Sequence, residues 1–170
     1  MKVKIIRVAD GQAVDATIAL PSAATALPSL TDGWRFNFKS NTPKENLQTY
    51  VLVCDDTPKV IEGCLSFKMR DKIEPYMAYV EVAPHNKGAN RLYDHVAGCL
   101  IAFACRLSFT EGQGPYLGWL AFDVLEEHKA DEEKLMKLYS RKYKAVRWGE
   151  TTTMLIPPTG GEKLIGEYLN

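Results

Sequence analysis

Apolar and basic residues alternate over residues 3–8, where Val and Ile are interleaved with Lys and Arg. That two-residue period predicts a half-buried strand, expected to open a sheet. Over residues 9–49 the pattern breaks at Pro21, Pro28 and Pro43 and at several Ser, Thr and Asn, leaving residues 13–20 and 27–30 as candidates for short helical turns. Irregular chain of that kind suits a substrate-facing surface. Residues 50–54 and 60–69 are rich in β-branched and aromatic side chains and are separated by DDTPK, in which Asp starts a turn and Pro fixes its φ. They predict an antiparallel hairpin, extended to a three-strand meander by residues 76–83, which Pro84 ends.

A helical period follows, from Val96 to about Ser108. Leu100, Ile101, Ala104 and Leu107 recur on one face, and Ala97, Gly98 and Ala102 keep the helix slim enough to lie close to a sheet. TEGQGP stops it. Residues 116–125 form the next apolar run, and a strand-helix-strand of this length favours a right-handed parallel crossover that sets 116–125 beside 76–83. Residues 131–143 carry carboxylates first and basic residues last, the order the helix dipole prefers, with Leu135, Met136 and Leu138 facing inward. Residues 145–148 and 151–156 predict closing strands, Pro157, Pro158, Gly160 and Gly161 a turn, and residues 162–169 a terminal helix.

Composition narrows this picture. A chain of 170 residues suits one domain, 1–170, and 46% hydrophobic residues are enough for a core. Lys plus Arg (21) balance Asp plus Glu (21), so no strong field draws the chain to nucleic acid or an anionic membrane. Neither partner is expected. GWRFNFK, residues 33–39, mixes aromatic and basic side chains, but a stacking platform for nucleic acid normally comes with a charged groove. The segment would equally line an acceptor pocket or a homodimer contact. No apolar run approaches the roughly 20 residues that cross a bilayer, and MKVKIIRVADG lacks the apolar core of a signal peptide, so a cytoplasmic protein is expected. Cys54, Cys64, Cys99 and Cys105 sit in apolar segments without CxxC spacing and read as reduced core residues; no metal is expected.

The candidate chemistry lies in YMAYVEVAPHNKGANRLYDHVAGCLIAFACRLSF, residues 76–109, an apolar strand, a polar loop and a small-residue helix in succession. A helix start exposes N–H groups without intrahelical partners and the positive end of the dipole, so it stabilises an anion such as a pyrophosphate. No GxGxxG, Walker loop or GxSxG elbow is present.

The order of elements from residue 50 onward resembles the GCN5-related N-acetyltransferase (GNAT) superfamily. VAGCLIAFA is similar to the start of that family's pyrophosphate-binding helix, and LYSRKYKAV, residues 138–146, to its tyrosine-bearing helix end. The family's loop usually reads Arg or Gln, two residues, Gly, one residue, Gly or Ala; with Leu100 and Ile101 in the paired-leucine places, Leu92, His95 and Ala97 stand there instead. A second register starts at His85 and uses Gly88 and Asn90. In the first, a Cβ at His95 would crowd a phosphate, or the ring would contact it. The resemblance implies an α+β (α/β) fold, a mixed, mostly antiparallel sheet with a parallel splayed strand pair and flanking helices.

It further implies transfer of an acetyl group from acetyl-CoA to a primary amine by direct attack in a ternary complex, the acceptor being a small molecule or a protein. Glu81, the carboxylate within the strand beside the cofactor, would be the general base, on a face shared with Tyr79 and Met77 and opposite Ala78, Val80 and Val82. Backbone groups of Val80 and Val82 would hold the pantetheine arm and the thioester oxygen. The backbone of Tyr93, Asp94, His95, Val96, Ala97 and Gly98 would hold the pyrophosphate, and Tyr139 would protonate the leaving thiolate. His85, Asn86 and Lys87 would touch the cofactor or form solvated loop, and His128 reads as a surface residue. A second reading is a GNAT-like domain without catalysis that senses a ligand or binds a protein.

Overall fold

The computed structural model describes residues 1–169. The opening alternation forms β1 (Lys2–Arg7), with Val3 and Ile5 buried, and Gly11 at φ 68° helps turn the chain into β2 (Ala13–Ala19). Residues 13–20 are thus a strand and not a helical turn: Val14, Ala16 and Ile18 all face inward at the period of two. An irregular stretch leads to α1 (Phe38–Lys44), which buries Phe38 and is capped by Asn37, whose side chain accepts the Ser40 N–H.

The expected meander is present as β3 (Gln48–Cys54), β4 (Ile61–Arg70) and β5 (Glu74–Val82). A two-residue strand, β6 (Tyr93–Asp94), then pairs with β1 before α2 (Val96–Glu111), which runs three residues beyond the expected Ser108. The next strand, β7 (Leu120–Asp123), is shorter than residues 116–125, because Gly114–Tyr116 is a 3-10 turn. The chain ends with α3 (Lys129–Tyr143), β8 (Val146–Arg147), β9 (Thr153–Ile156) and α4 (Pro158–Tyr168). The last helix begins before the expected 162, taking Gly160 and Gly161 into its first turns. A Cβ on Gly161 would meet Cys105 and Phe109 at 3.4 Å, an ordinary contact distance, which places α4 directly on α2.

One sheet results, in the order β6-β1-β2-β3-β4-β5-β7-β9-β8. Every neighbouring pair is antiparallel except β5 and β7, which are parallel and share a single residue pair, Tyr76 with Ala121. Helices cover one face over a core that includes Leu65, Phe67, Leu100, Leu120 and Met154. Gly63 on β4 allows the close approach of α2, since a Cβ there would fall 2.8 Å from both Leu100 and Val96. A smaller cluster of Trp34, Phe38, Val51, Cys64 and Ala83 covers part of the other face.

The register of β4 against β5 slips between Ser66 and Phe67: Ser66 faces Tyr79 but Phe67 faces Met77, so Ala78 is an extra residue. This β-bulge corrects the expected faces. Met77 packs in the helix-side core with Val80 and Val82 against it, while Tyr79 belongs to the opposite cluster with Ala83. Bulges bend a strand and increase its twist, and this one lies two residues beyond the last contact between β5 and β7.

Candidate active site

Beyond Tyr76 and Ala121 the two parallel strands diverge, so the edge of β5 that faces β7 has no strand partner. The opening is a narrow cleft of about 90 Å³ whose walls include Val80 of β5, Phe122 and Val124 of β7, and Leu135 and Tyr139 of α3. Tyr139 packs its ring on Phe122, centroids 4.8 Å apart. Among the described residues no hydrogen bond forms on its hydroxyl. Burial pushes its pKa up, against the nearby Arg35 charge, so at neutral pH the phenol keeps its proton.

A second space of about 550 Å³ lies at the start of α2 and is lined by Val82, Arg91, Gly98 and Lys142 among others. Val80 lines the first space and Val82 the second. The first-turn N–H groups of Val96, Ala97 and Gly98 stand at this end, Cys99 N–H being the first to bond within the helix, to His95 O. Two of the expected loop positions are otherwise engaged: the Tyr93 N–H donates to Asn86 Oδ1 (3.1 Å), and both Tyr93 and Asp94 are paired with β1. Asp94 adds a negative charge, held by a two-point contact with Arg91 (3.0 Å each) that pulls its carboxyl below the usual range. His95, at φ 71°, occupies the left-handed region that favours glycine and stacks edge-on against Tyr168. Gly98 is explained by the same tyrosine, since a Cβ there would overlap the Tyr168 ring.

The loop before α2 is shaped from below. Glu62 is buried, with His85 Nε2 at 2.6 Å and Asn86 Nδ2 at 2.7 Å from its Oε2, so His85 and Asn86 hold the loop rather than lie free in solvent. His128 is exposed at the start of α3.

Glu81, 7% exposed, points away from the helix-side core. Its Oε1 accepts the backbone N–H of Arg35 (2.8 Å) and the ammonium of Lys87, and its Oε2 accepts the N–H of Phe36 (3.0 Å). Arg35 in turn reaches the far side of the splay, where Nη1 meets Glu126 Oε1 (2.7 Å) and Nη2 the Leu125 carbonyl (3.0 Å). At the base of the splay the Tyr76 hydroxyl donates to Asp123 Oδ2 (2.7 Å), and Thr152 and Thr153 donate to Oδ1 (3.1 and 2.8 Å). Burial pushes the Asp123 carboxyl up, but the three hydroxyls and the Arg70 charge outweigh it and leave it below the usual range. Asp123 carried no signal in the sequence beyond a charged residue at the margin of an apolar run, and Arg35 was marked only as part of GWRFNFK, read as lining an acceptor pocket or a homodimer contact. The cysteines are all free and buried, and burial alone pushes Cys99 and Cys105 up to about 12, so none supplies a thiolate.

By sequence, no family model and no curated protein matches the chain. By structure it is similar to AtaT and KacT, toxins of the GNAT fold. A KacTA–DNA complex has 16% identity and a TM-score of 0.59, over 89% of this chain and 99% of the other. AtaTR bound with acetyl-CoA has 12% and 0.57, over 88% and 98%. AtaT complexed with acetyl-methionyl-tRNAfMet has 13% and 0.53, over 89% and 99%. Two of these were captured with nucleic acid, which overturns the expectation of no nucleic-acid partner: charge balance over a whole chain says nothing of local patches, and it is patches that bind. The cleft at the single parallel strand pair, the bulged β5 and the helix start beside it belong to one architecture, and the chain has the GNAT fold.

Proposed function

We propose that this protein is an acetyl-CoA-dependent N-acetyltransferase whose acceptor is the primary amine of an aminoacyl-tRNA, attacked directly in a ternary complex. The observation that carries the reading is the pair of spaces along β5, one at the start of α2 lined by Val82 and one at the splay lined by Val80 and Tyr139. The acceptor class rests on the acetyl-methionyl-tRNAfMet complex of a similar fold.

Acetyl-CoA fits the residues present: its pyrophosphate at the first-turn N–H groups of α2 near Arg91 and Lys142, its pantetheine arm along the unpaired edge of β5 at Val82 and Val80, and its thioester in the cleft. When bound it supplies the activated acetyl group. A nitrogen–carbon bond forms, the carbon–sulfur bond breaks, and the leaving thiolate takes the Tyr139 proton, which matches a phenol kept neutral by burial; the proton that the attacking nitrogen sheds on becoming an amide passes through water and restores the phenol. Glu81 anchors residues 35–36 with its carboxylate occupied by three donors, so the ammonium proton is released to water. An α-amino group has a reference pKa of about 8 and is partly neutral at physiological pH without a strong base.

One observation favours the second reading, a ligand-sensing or interaction module: Asp94 sets a carboxylate and His95 a side chain at the phosphate end. Melting the purified protein with acetyl-CoA and with CoA separates the two, since a ligand of the native state raises Tm. A rise, followed by thiol release when aminoacyl-tRNA is added, supports the enzyme. No rise at millimolar ligand sinks it.

A further inference from the structure

Residues 34–36 belong to no strand, yet they are fixed at two points on opposite sides of the splay. Their backbone hangs on the buried Glu81 of β5, and the Arg35 side chain is fastened beyond the end of β7, to Glu126 and to the Leu125 carbonyl. Arg35 and Phe36 both line the narrow cleft that Tyr139 also lines. We infer that Arg35 is a positioning residue, which holds this segment as a strap across the splayed strands and so sets the width at which the amine meets the thioester. The inference rests on the acetyltransferase reading and extends it to the acceptor side.

Three considerations point the same way. Past Tyr76 and Ala121 no ladder hydrogen bond ties β5 to β7, so the spacing of their ends depends on side chains. A guanidinium is suited to the task because its planar fork reaches two acceptors at fixed angles, here a carboxylate and a carbonyl. Finally, the Arg35 side chain is 48% exposed and that of Glu126 19%. Ion pairs this open contribute little to stability. A large loss of turnover on breaking this one would therefore report geometry and not unfolding.

The test is a charge swap across the strap: Arg35→Glu, Glu126→Arg, the double variant, and Glu126→Gln as the mildest break. Steady-state kinetics with acetyl-CoA and aminoacyl-tRNA should show kcat reduced about 10- to 100-fold in each single variant, the scale of a misplaced reactant. KM for acetyl-CoA should stay within about threefold, because the phosphate end is untouched. Tm should fall by no more than about 4 °C. The double variant should recover most of kcat. Single variants with wild-type kcat, or a double variant no better than the singles, would overturn the inference. Hydrogen exchange gives a readout independent of activity: the Arg35 and Phe36 amides, protected by Glu81, should exchange at least about fivefold faster in Glu126→Gln. Unchanged exchange would also overturn the strap, whereas a wild-type protein that transfers no acetyl group but shows this exchange pattern would sink the acetyltransferase reading and leave the strap standing.

Discussion

Gly98→Ala tests the packing of the helix start by the sign of its effect. On propensity alone, replacing glycine in a helix stabilises by up to about 1 kcal/mol. The structure predicts the reverse. A Cβ on Gly98 would sit 2.5 Å from Cζ and 2.6 Å from Cδ1 of Tyr168, and closer still to Cε1, where ordinary contacts begin near 3.4 Å. Tyr168 is 7% exposed and packed between α2 and α4, so the ring must withdraw by about an ångström against its neighbours. Overpacking of this kind costs about 1–3 kcal/mol, and so tight an overlap belongs at the upper end. Set against the propensity gain, the net loss is about 2 kcal/mol, or a fall of about 4–8 °C in Tm for a chain of this size. Urea unfolding should show a lower midpoint with an unchanged slope. In a Tyr168→Ala background, where the ring is gone, the same substitution should become neutral or stabilising. A Gly98→Ala protein as stable as the wild type, or more so, would refute the reasoning.

Tyr139→Phe should lower kcat about 10²- to 10⁴-fold, the usual worth of a general acid, and leave Tm nearly unchanged, because the hydroxyl makes no hydrogen bond among the described residues; stopped-flow thiol release checks it. Asp94→Asn removes a carboxylate from the phosphate end and frees Arg91, so CoA should bind more tightly by calorimetry, by about three- to tenfold at low salt. Asp123→Asn tests linkage. A carboxyl held below its unfolded value contributes stability that is present above about pH 4 and is lost as pH falls through the folded pKa. The stability gap between wild type and Asp123→Asn should therefore be flat near neutrality and close in acid, as followed by denaturant melts from pH 7 to pH 3.

The parts of this fold that were legible in the sequence are those in which burial repeats at a fixed period. The β3–β4–β5 meander and α2 show it, and their order with α3 was enough to place the parallel pair. β2 had the period too, in Val14, Ala16 and Ile18, but the alanines around them weakened the contrast between inner and outer positions. α1 carries Pro43 inside it and stands by its cap and by Phe38, two features no periodicity records. A two-residue strand such as β6 has no period at all. The bulge at Ala78 hid for a different reason, since counting alternate residues through it assigns Met77 to the wrong face. In the candidate site, Tyr139, Val80, Val82 and the α2 start were named through the family resemblance, and they line the two spaces. For Arg35 only its segment, GWRFNFK, was marked and not its contacts, because these join residues 90 and 91 positions apart, and Glu81 gave no hint that its carboxylate was already occupied by chain 45 and 46 residues away.

The sheet ends in strands of two residues on both sides, β6 and β8, the first with Asp94 on it and the second with Arg147. Long flat edges recruit other chains by strand addition, and short charged ones resist it. Among the described strands the longest stretch of unpaired backbone, the far half of β5, lies in the middle of the sheet, inside a narrow cleft. The short charged edges resist fibril-like self-association, and the interruption in the ladder leaves an open berth for an extended small molecule.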